Sequence, residues 1–210
     1  MLSGGDTQYD KDGQAGLRGE GEIDQAAVEE FLSREYFQMK PPKTTGRELF
    51  GDSLTKELVD LLRSRNPSIS DDGIVATITR MTSESIVRAY EKYIIPVVRK
   101  IDEVYICGGG ALNPNIMKWL RERLPQTKVE RMERGTFGLR ADAKEAVLFA
   151  VLGFLSVCGR HVPIAGFSEN RHPAVLGSVT PGENYKSLME RVVKSEEFTS
   201  AGILGKIVMK

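Results

Sequence analysis

The run from Val104 to Met132 limits what this chain can fold into more than any other part of it. Val104, Tyr105, Ile106 and Cys107 form a short apolar stretch, Gly108, Gly109 and Gly110 follow at once, and Asn113-Pro114 opens a helical pattern. An apolar run this short, closed by glycines, predicts a buried strand and a turn. Asn113 suits an N-cap, since its side chain can accept a first-turn amide, and Pro114 suits the first helical position, where no amide partner is needed. Ile116, Met117, Leu120 and Leu124 give the helix one apolar stripe, and Lys128 to Met132 reads as a returning parallel strand. The run therefore predicts a β-α-β unit around a strand at 103–107.

Upstream, the pattern is mostly helical. Residues 1–22 are rich in Gly, Asp, Glu and Gln and read as loop or strand edge. Asp24 is placed to cap a short helix with Val28, Phe31 and Leu32 inward, and Pro41-Pro42 stop it. Leu54, Leu58, Leu61 and Leu62 mark a second helix. Asp71 and Asp72, read as caps, introduce a long third helix with Ile74, Ile78, Met81, Val87 and Tyr90 on one face, ending at Pro96. Downstream, a second glycine-bearing loop at 135–140 precedes an almost wholly apolar helix to about Cys158, which the pattern predicts to be buried on most sides. A last helix is expected from Asn184 to Lys194.

Bulk numbers narrow the function classes. With 210 residues and 40% hydrophobic content, the chain can bury one core and a small appendage. Twenty-nine basic residues balance twenty-nine acidic ones, so no global field draws it to nucleic acid or an anionic membrane, and a small molecule or another protein is the expected partner. Cys107 and Cys158 sit in apolar runs without metal-ligand or CxxC spacing, which predicts two buried thiols in a reducing compartment and no disulfide. The polar N-terminus and the shortness of the apolar run at Ala146 to Cys158 predict a soluble, cytoplasmic protein. His161 and His172 stand alone, so surface or capping roles fit them better than metal binding. Trp119 reads as packing rather than as a stacking platform.

The glycine triplet has three readings. Missing side chains let a ligand approach the backbone, and the amides at a helix start favour an anion, so a nucleotide fits there. Alternatively the glycines make only a tight strand-to-helix turn. In the third reading Gly108-x-Gly110 with Asn113 approaches the GxGxxG dinucleotide fingerprint, Glu130 standing where a ribose-binding acid belongs, although close helix packing asks for Gly or Ala where Asn113 stands.

Here the chain resembles a known family. Ile106 to Pro114 is similar to the adenosine motif of sugar kinases of the actin/hexokinase group. ProProLysThrThrGlyArgGlu at 41–48 and GlyLeuArgAlaAspAlaLysGluAla at 138–146 resemble segments of the anhydro-N-acetylmuramic acid kinases. The likeness runs in order from about Tyr9 to Pro181 and takes in AspLysAspGly at 10–13 and ValLeuGlySerValThrProGly at 175–182. It implies an α/β, ribonuclease-H-like lobe of the actin/hexokinase type, with a small mixed sheet flanked by helices and incomplete at the N-terminus. Residues 1–182 would be the C-terminal nucleotide-binding lobe, and 183–210 a helical extension. It further implies ATP-dependent cleavage of the 1,6-anhydro bond of an amino sugar with phosphorylation of its 6-oxygen, water being activated by a carboxylate base. Magnesium would accompany ATP.

The resemblance also carries expectations for single residues. Gly108, Gly109, Gly110 and Asn113 would lie near adenosine, and Glu145 near the reacting centre. Asp142 and Glu145 also have capping-box spacing, which suits a role at the helix start alone equally well, while Lys144 suits either phosphate or solvent. Arg47, with Thr44 and Thr45 beside it, suits a clamp on an anion or a hinge turn pinned by a salt bridge. The family's catalytic aspartate lies in an AspThrGlyProGlyAsn motif upstream of the matched region, and Asp6-Thr7 does not replace it. The expectation is therefore a lobe inactive alone, needing a second lobe or forming a homodimer over uncovered sheet edge or helix surface. A non-catalytic nucleotide-binding or interaction module is the alternative.

Overall fold

The computed structural model describes residues 9–132, 143–162 and 172–194. It divides into two units, Met1–Pro41 with Thr45–Met132 and Pro42–Thr44 with Glu133–Lys210.

The first unit begins where a loop or strand edge was expected, but the chain coils instead. A 3-10 turn at Lys11–Gly13 leads into α1 (Gln14–Arg18) and a further turn at Glu20–Glu22. Asp10 supplies the cause. Its carboxylate oxygens accept from Ala15 N at 2.8 Å and Gly16 N at 3.1 Å, satisfying helix-start amides that composition alone does not reveal.

Helix α2 (Gln25–Leu32) follows, with the Asp24 carboxylate accepting from Ala27 N as the cap. Val28, Phe31 and Leu32 are buried as its spacing requires. After the short α3 (Glu35–Gln38), α4 (Asp52–Arg65) adds Leu58 and Leu62, and α5 (Asp71–Ala89) adds Ile74 and Met81 to the same core. Tyr36, Phe37 and Phe50 stack edge-on around one another at its rim, centroids 5.1–5.9 Å apart.

The start and end of α5 both differ from expectation. Its cap is Ser70, whose hydroxyl accepts from Gly73 N, while Asp71 and Asp72 occupy the first turn and pair with Arg63 and Arg18. There their charge complements the helix dipole. Nor does Pro96 stop the helix. A π turn at Tyr90–Ile94 absorbs the misfit, and Pro96 opens the first turn of α6 (Ile95–Val98), where a missing amide costs nothing.

The β-α-β unit forms as the sequence predicts. Strand β1 (Glu103–Ile106) pairs parallel with β2 (Lys128–Arg131), Glu103 opposite Lys128 and Ile106 opposite Arg131. Helix α7 (Pro114–Arg123) crosses between them and packs on α5 and β2. Val87, Ile116, Met117, Leu120, Leu124 and Val129 make this second core. Among the described residues the sheet has two strands, both parallel, rather than the mixed order expected.

The second unit is described by α8 (Lys144–Val157), α9 (Tyr185–Lys194) and one antiparallel bridge between Val162 and Ala174. The prediction that α8 is buried on most sides fails. Leu155 is buried, but Leu148, Phe149 and Phe154 are 50%, 68% and 43% exposed. The side chains are apolar nearly all round, yet among the described residues no second layer covers those faces. Cys107 and Cys158 are free and half-buried, less enclosed than their apolar runs suggest.

Candidate functional site: the glycine turn after the first strand

Gly108 leaves β1 at φ 81° and ψ −174°, a backbone region that only glycine occupies without strain. A 3-10 turn, Gly109–Leu112, then carries the chain to α7, closed by bonds from Ala111 N to Gly108 O and from Asn113 N to Gly110 O, both 3.1 Å. The three glycines are exposed. Among the described residues, a Cβ on Gly108 or Gly109 would meet no atom within 4 Å, and one on Gly110 would meet only Ile116 Cδ1, at 3.8 Å.

These facts separate the readings of the triplet. Gly108 has a backbone reason to be glycine. Gly109 has neither a positive φ nor a neighbour that excludes a side chain, so a tight turn alone does not account for it. Open, unplugged backbone over the head of α7 remains. Glu130, the acid of the dinucleotide alternative, lies on β2 and pairs with Lys128 Nζ at 3.1 Å.

Asn113 acts as the cap, its carboxamide oxygen accepting from Asn115 N and Asn115 Nδ2 at 3.0 Å each. Asn115 Nδ2 also donates to Gly13 O at 2.8 Å, tying the Lys11–Gly13 turn to the same helix start. Beyond the cap, α7 is bolted to α5 through Glu84, a buried carboxylate at 4% side-chain exposure. It accepts from Trp119 Nε1 at 2.9 Å, Arg123 Nη1 at 2.7 Å and Arg88 Nε at 3.0 Å. Burial pushes this carboxyl up, but the bonds from Arg88, Trp119 and Arg123 together outweigh it and hold Glu84 below the usual glutamate range. Trp119 is packing, as its position suggests: the Arg80 guanidinium lies 3.4 Å from its ring centroid. The polar cleft beside it, lined by Gly16, Arg80, Asn115 and Lys118 among others, has room for a water molecule and nothing larger.

The other expected site residues stand on other elements. Thr45 and Arg47 are exposed on a loop that folds back sharply, Phe50 N bonding Gly46 O at 3.0 Å, with Gly51 so close to Arg47 O that a Cβ there would clash at 2.3 Å. The turn is closed by backbone bonds, and Arg47 makes no ion pair with a described residue. Lys144 and Glu145 belong to the second unit, exposed in the first turn of α8, where Ala143 is the cap residue and makes no side-chain bond. Asp142 lies outside the described residues, and with it the capping box.

Sequence reasoning missed Asn115, Asp10 and Glu84. For Glu84 the signal existed: it stands three residues from both Met81 and Val87, on the apolar stripe of α5, where a charge is expected to be buried and paired. Asn115 carried no such signal, because its partner is 102 residues away.

Among the described residues no helix is long and apolar enough to cross a membrane. A family model described as anhydro-N-acetylmuramic acid kinase matches residues 3–182. The chain is 39% identical over 181 residues to the anhydro-N-acetylmuramic acid kinase of Caldanaerobacter subterraneus subsp. tengcongensis, covering 85% of this chain and 43% of the relative. Its counterpart in Acidithiobacillus ferrooxidans is 32% identical over 200 residues, 95% of this chain and 48% of the relative. A third, from a Cyanothece species, is 38% identical over 181 residues, 85% and 44% of the two chains. The chain thus spans under half the length of these curated relatives. With more than four-fifths of its length inside one family model, it belongs to the anhydro-N-acetylmuramic acid kinase family.

Proposed function

We propose that this chain carries the adenosine seat of an ATP-dependent kinase acting on anhydro-N-acetylmuramic acid, with Gly108, Gly109, Gly110 and Asn113 around the nucleotide. One observation carries the reading: glycine stands at 109, where neither backbone nor packing requires it, and the surface above is open. A ligand that presses on the main chain supplies the missing reason. Family membership then selects a kinase over a dinucleotide enzyme.

In this reading residues 1–182 are the nucleotide-binding lobe of a ribonuclease-H-like kinase fold, and 183–210 a helical extension. Glu145 faces the reacting centre, Asp142 and Lys144 stand beside it, and Thr45 and Arg47 contact the sugar or flank a hinge. The reaction cleaves the 1,6-anhydro bond and phosphorylates the 6-oxygen, a chemistry that asks the protein mainly to position charge and to aim one base at water. Magnesium would arrive on the phosphate oxygens, where it neutralises charge.

Titration calorimetry with ATP, NADH and the anhydro sugar, followed by an assay for the 6-phosphorylated product, tests this directly. Saturable ATP binding without NADH binding is the expected result. Absence of ATP binding at millimolar concentration overturns the seat, and binding without product favours a nucleotide-binding module over an enzyme.

A further inference from the structure

We propose that Asn115 is a positioning residue for the nucleotide, holding the Asp10–Gly16 segment and the glycine triplet together as one piece. The proposal rests on the triplet being the nucleotide seat, and deepens that reading.

A continuous chain of hydrogen bonds carries it. Gly13 O accepts from Asn115 Nδ2 at 2.8 Å, the same nitrogen donates to Asn113 Oδ1 at 3.0 Å, and Asn113 N donates to Gly110 O at 3.1 Å. One side-chain amide thereby links a turn at the start of the described chain to the last glycine of the triplet. The turn is shaped to fit around it. Gly13 takes φ 65°, and a Cβ there would lie 2.6 Å from Asn113 Oδ1 and 2.7 Å from Pro114 Cδ. At Gly16 the same addition would lie 2.7 Å from Asn115 Nδ2. Asp10 fixes the other side of the turn through Ala15 N and Gly16 N, and Asp12 is held at φ 53°, which a non-glycine residue seldom adopts.

The consequence is directional. Gly13 is buried, and its carbonyl already caps the first turn of α1, so removing the Asn115 donor takes away the bond that ties this turn to α7 and takes from Asn113 one of the two donors that orient the cap. The first loss frees the Lys11–Gly13 turn from α7, and the second falls on the helix start into which Gly110 leads. A purely structural role would cost stability and leave the affinity of the folded protein for ATP unchanged.

The test uses the full 210-residue chain, with ATP as probe. Asn115→Asp keeps the shape but loses the donor, and is expected to weaken ATP binding about tenfold at a temperature where the variant is fully folded. Gly13→Ala displaces the turn while leaving Asn115 intact, and is expected to do the same. Because both cut one linkage, the double variant should bind little worse than either single one. In the unaltered protein, ATP should slow amide hydrogen exchange across residues 10–16, a readout that needs no variant to fold. The proposal is overturned if ATP binds but Asn115→Asp keeps its affinity within about twofold, or if exchange at 10–16 ignores ATP. Failure of the unaltered chain to bind ATP overturns the seat itself and this proposal with it.

Discussion

Helices α5 and α8 teach opposite lessons about hydrophobicity. The longer, α5, is only partly apolar, yet Ile74, Ala76, Met81 and Val87 are buried to within 3% of completely because α2, α4 and α7 lie against its stripes. By contrast α8 reads Lys-Glu-Ala-Val-Leu-Phe-Ala-Val-Leu-Gly-Phe-Leu-Ser-Val, and nevertheless leaves Phe149 68% exposed. Apolar content sets the demand for burial; a second layer meets it.

The sharpest way to break that contrast is a pair of truncations. Leu62→Ala, at a fully buried position in the first core, should cost about 3 kcal/mol, the sum of lost transfer energy and a cavity. Phe149→Ser should cost under about 0.5 kcal/mol, as surface substitutions usually do. Urea unfolding of each variant checks both. Equal losses would mean that α8 is covered in solution, for instance by a second copy of the chain, and sedimentation at several concentrations would then reveal it.

A smaller effect sharpens the comparison within the first unit. Glu84 binds three donors from two helices, so Glu84→Gln, which keeps the volume but removes the charge, should cost about 2 kcal/mol. The folded carboxyl titrates below its ordinary value of 4.5. An unfolded chain therefore takes up the proton first as pH falls. The stability that Glu84 brings is whole at neutral pH and is lost below about 4.5 as the folded value is crossed. Thermal melts from pH 7 to pH 3 should show a shallower acid limb for Glu84→Gln than for the unaltered chain. Parallel limbs would show that the other carboxylates held low, Glu20, Glu22, Asp24 and Glu29, dominate acid unfolding instead.

How much of this was legible in sequence follows from how local each determinant is. Asn113, Pro114 and the stripe Ile116, Met117, Leu120, Leu124 act within one helix, and the β-α-β unit came out as read. The Asp24 cap is equally local. Asp71 and Asp72 misled because Ser70, one position earlier, has the same capping chemistry and leaves the two acids to the dipole and to arginines. The burial of α8 was misjudged because hydrophobicity in one helix says nothing about whether another element reaches it. For the site, the triplet was visible as punctuation, while its connection to Gly13 was not, since no rule of spacing links positions 102 residues apart. The segment at 41–48 was visible only through resemblance, and its physical organisation, a backbone-closed turn with Arg47 exposed, became readable only in three dimensions.

The smallest stability effect is expected at the most informative position. Gly109→Ala places a methyl in open space within a helical turn, so the fold should change by no more than about 0.5 kcal/mol, and in the stabilising direction, because alanine loses less backbone freedom on folding. Gly108→Ala, two atoms' breadth away in the chain but at φ 81°, should cost about 1–3 kcal/mol through backbone strain. If the surface above is a nucleotide seat, the methyl at 109 stands where the ligand must press, and ATP affinity should fall about tenfold while the melting temperature holds or rises. Stability and binding would then move in opposite directions on one substitution. Measuring both on the same sample decides the matter, because an alanine at 109 that binds ATP as well as glycine does would leave the triplet as a turn and nothing more.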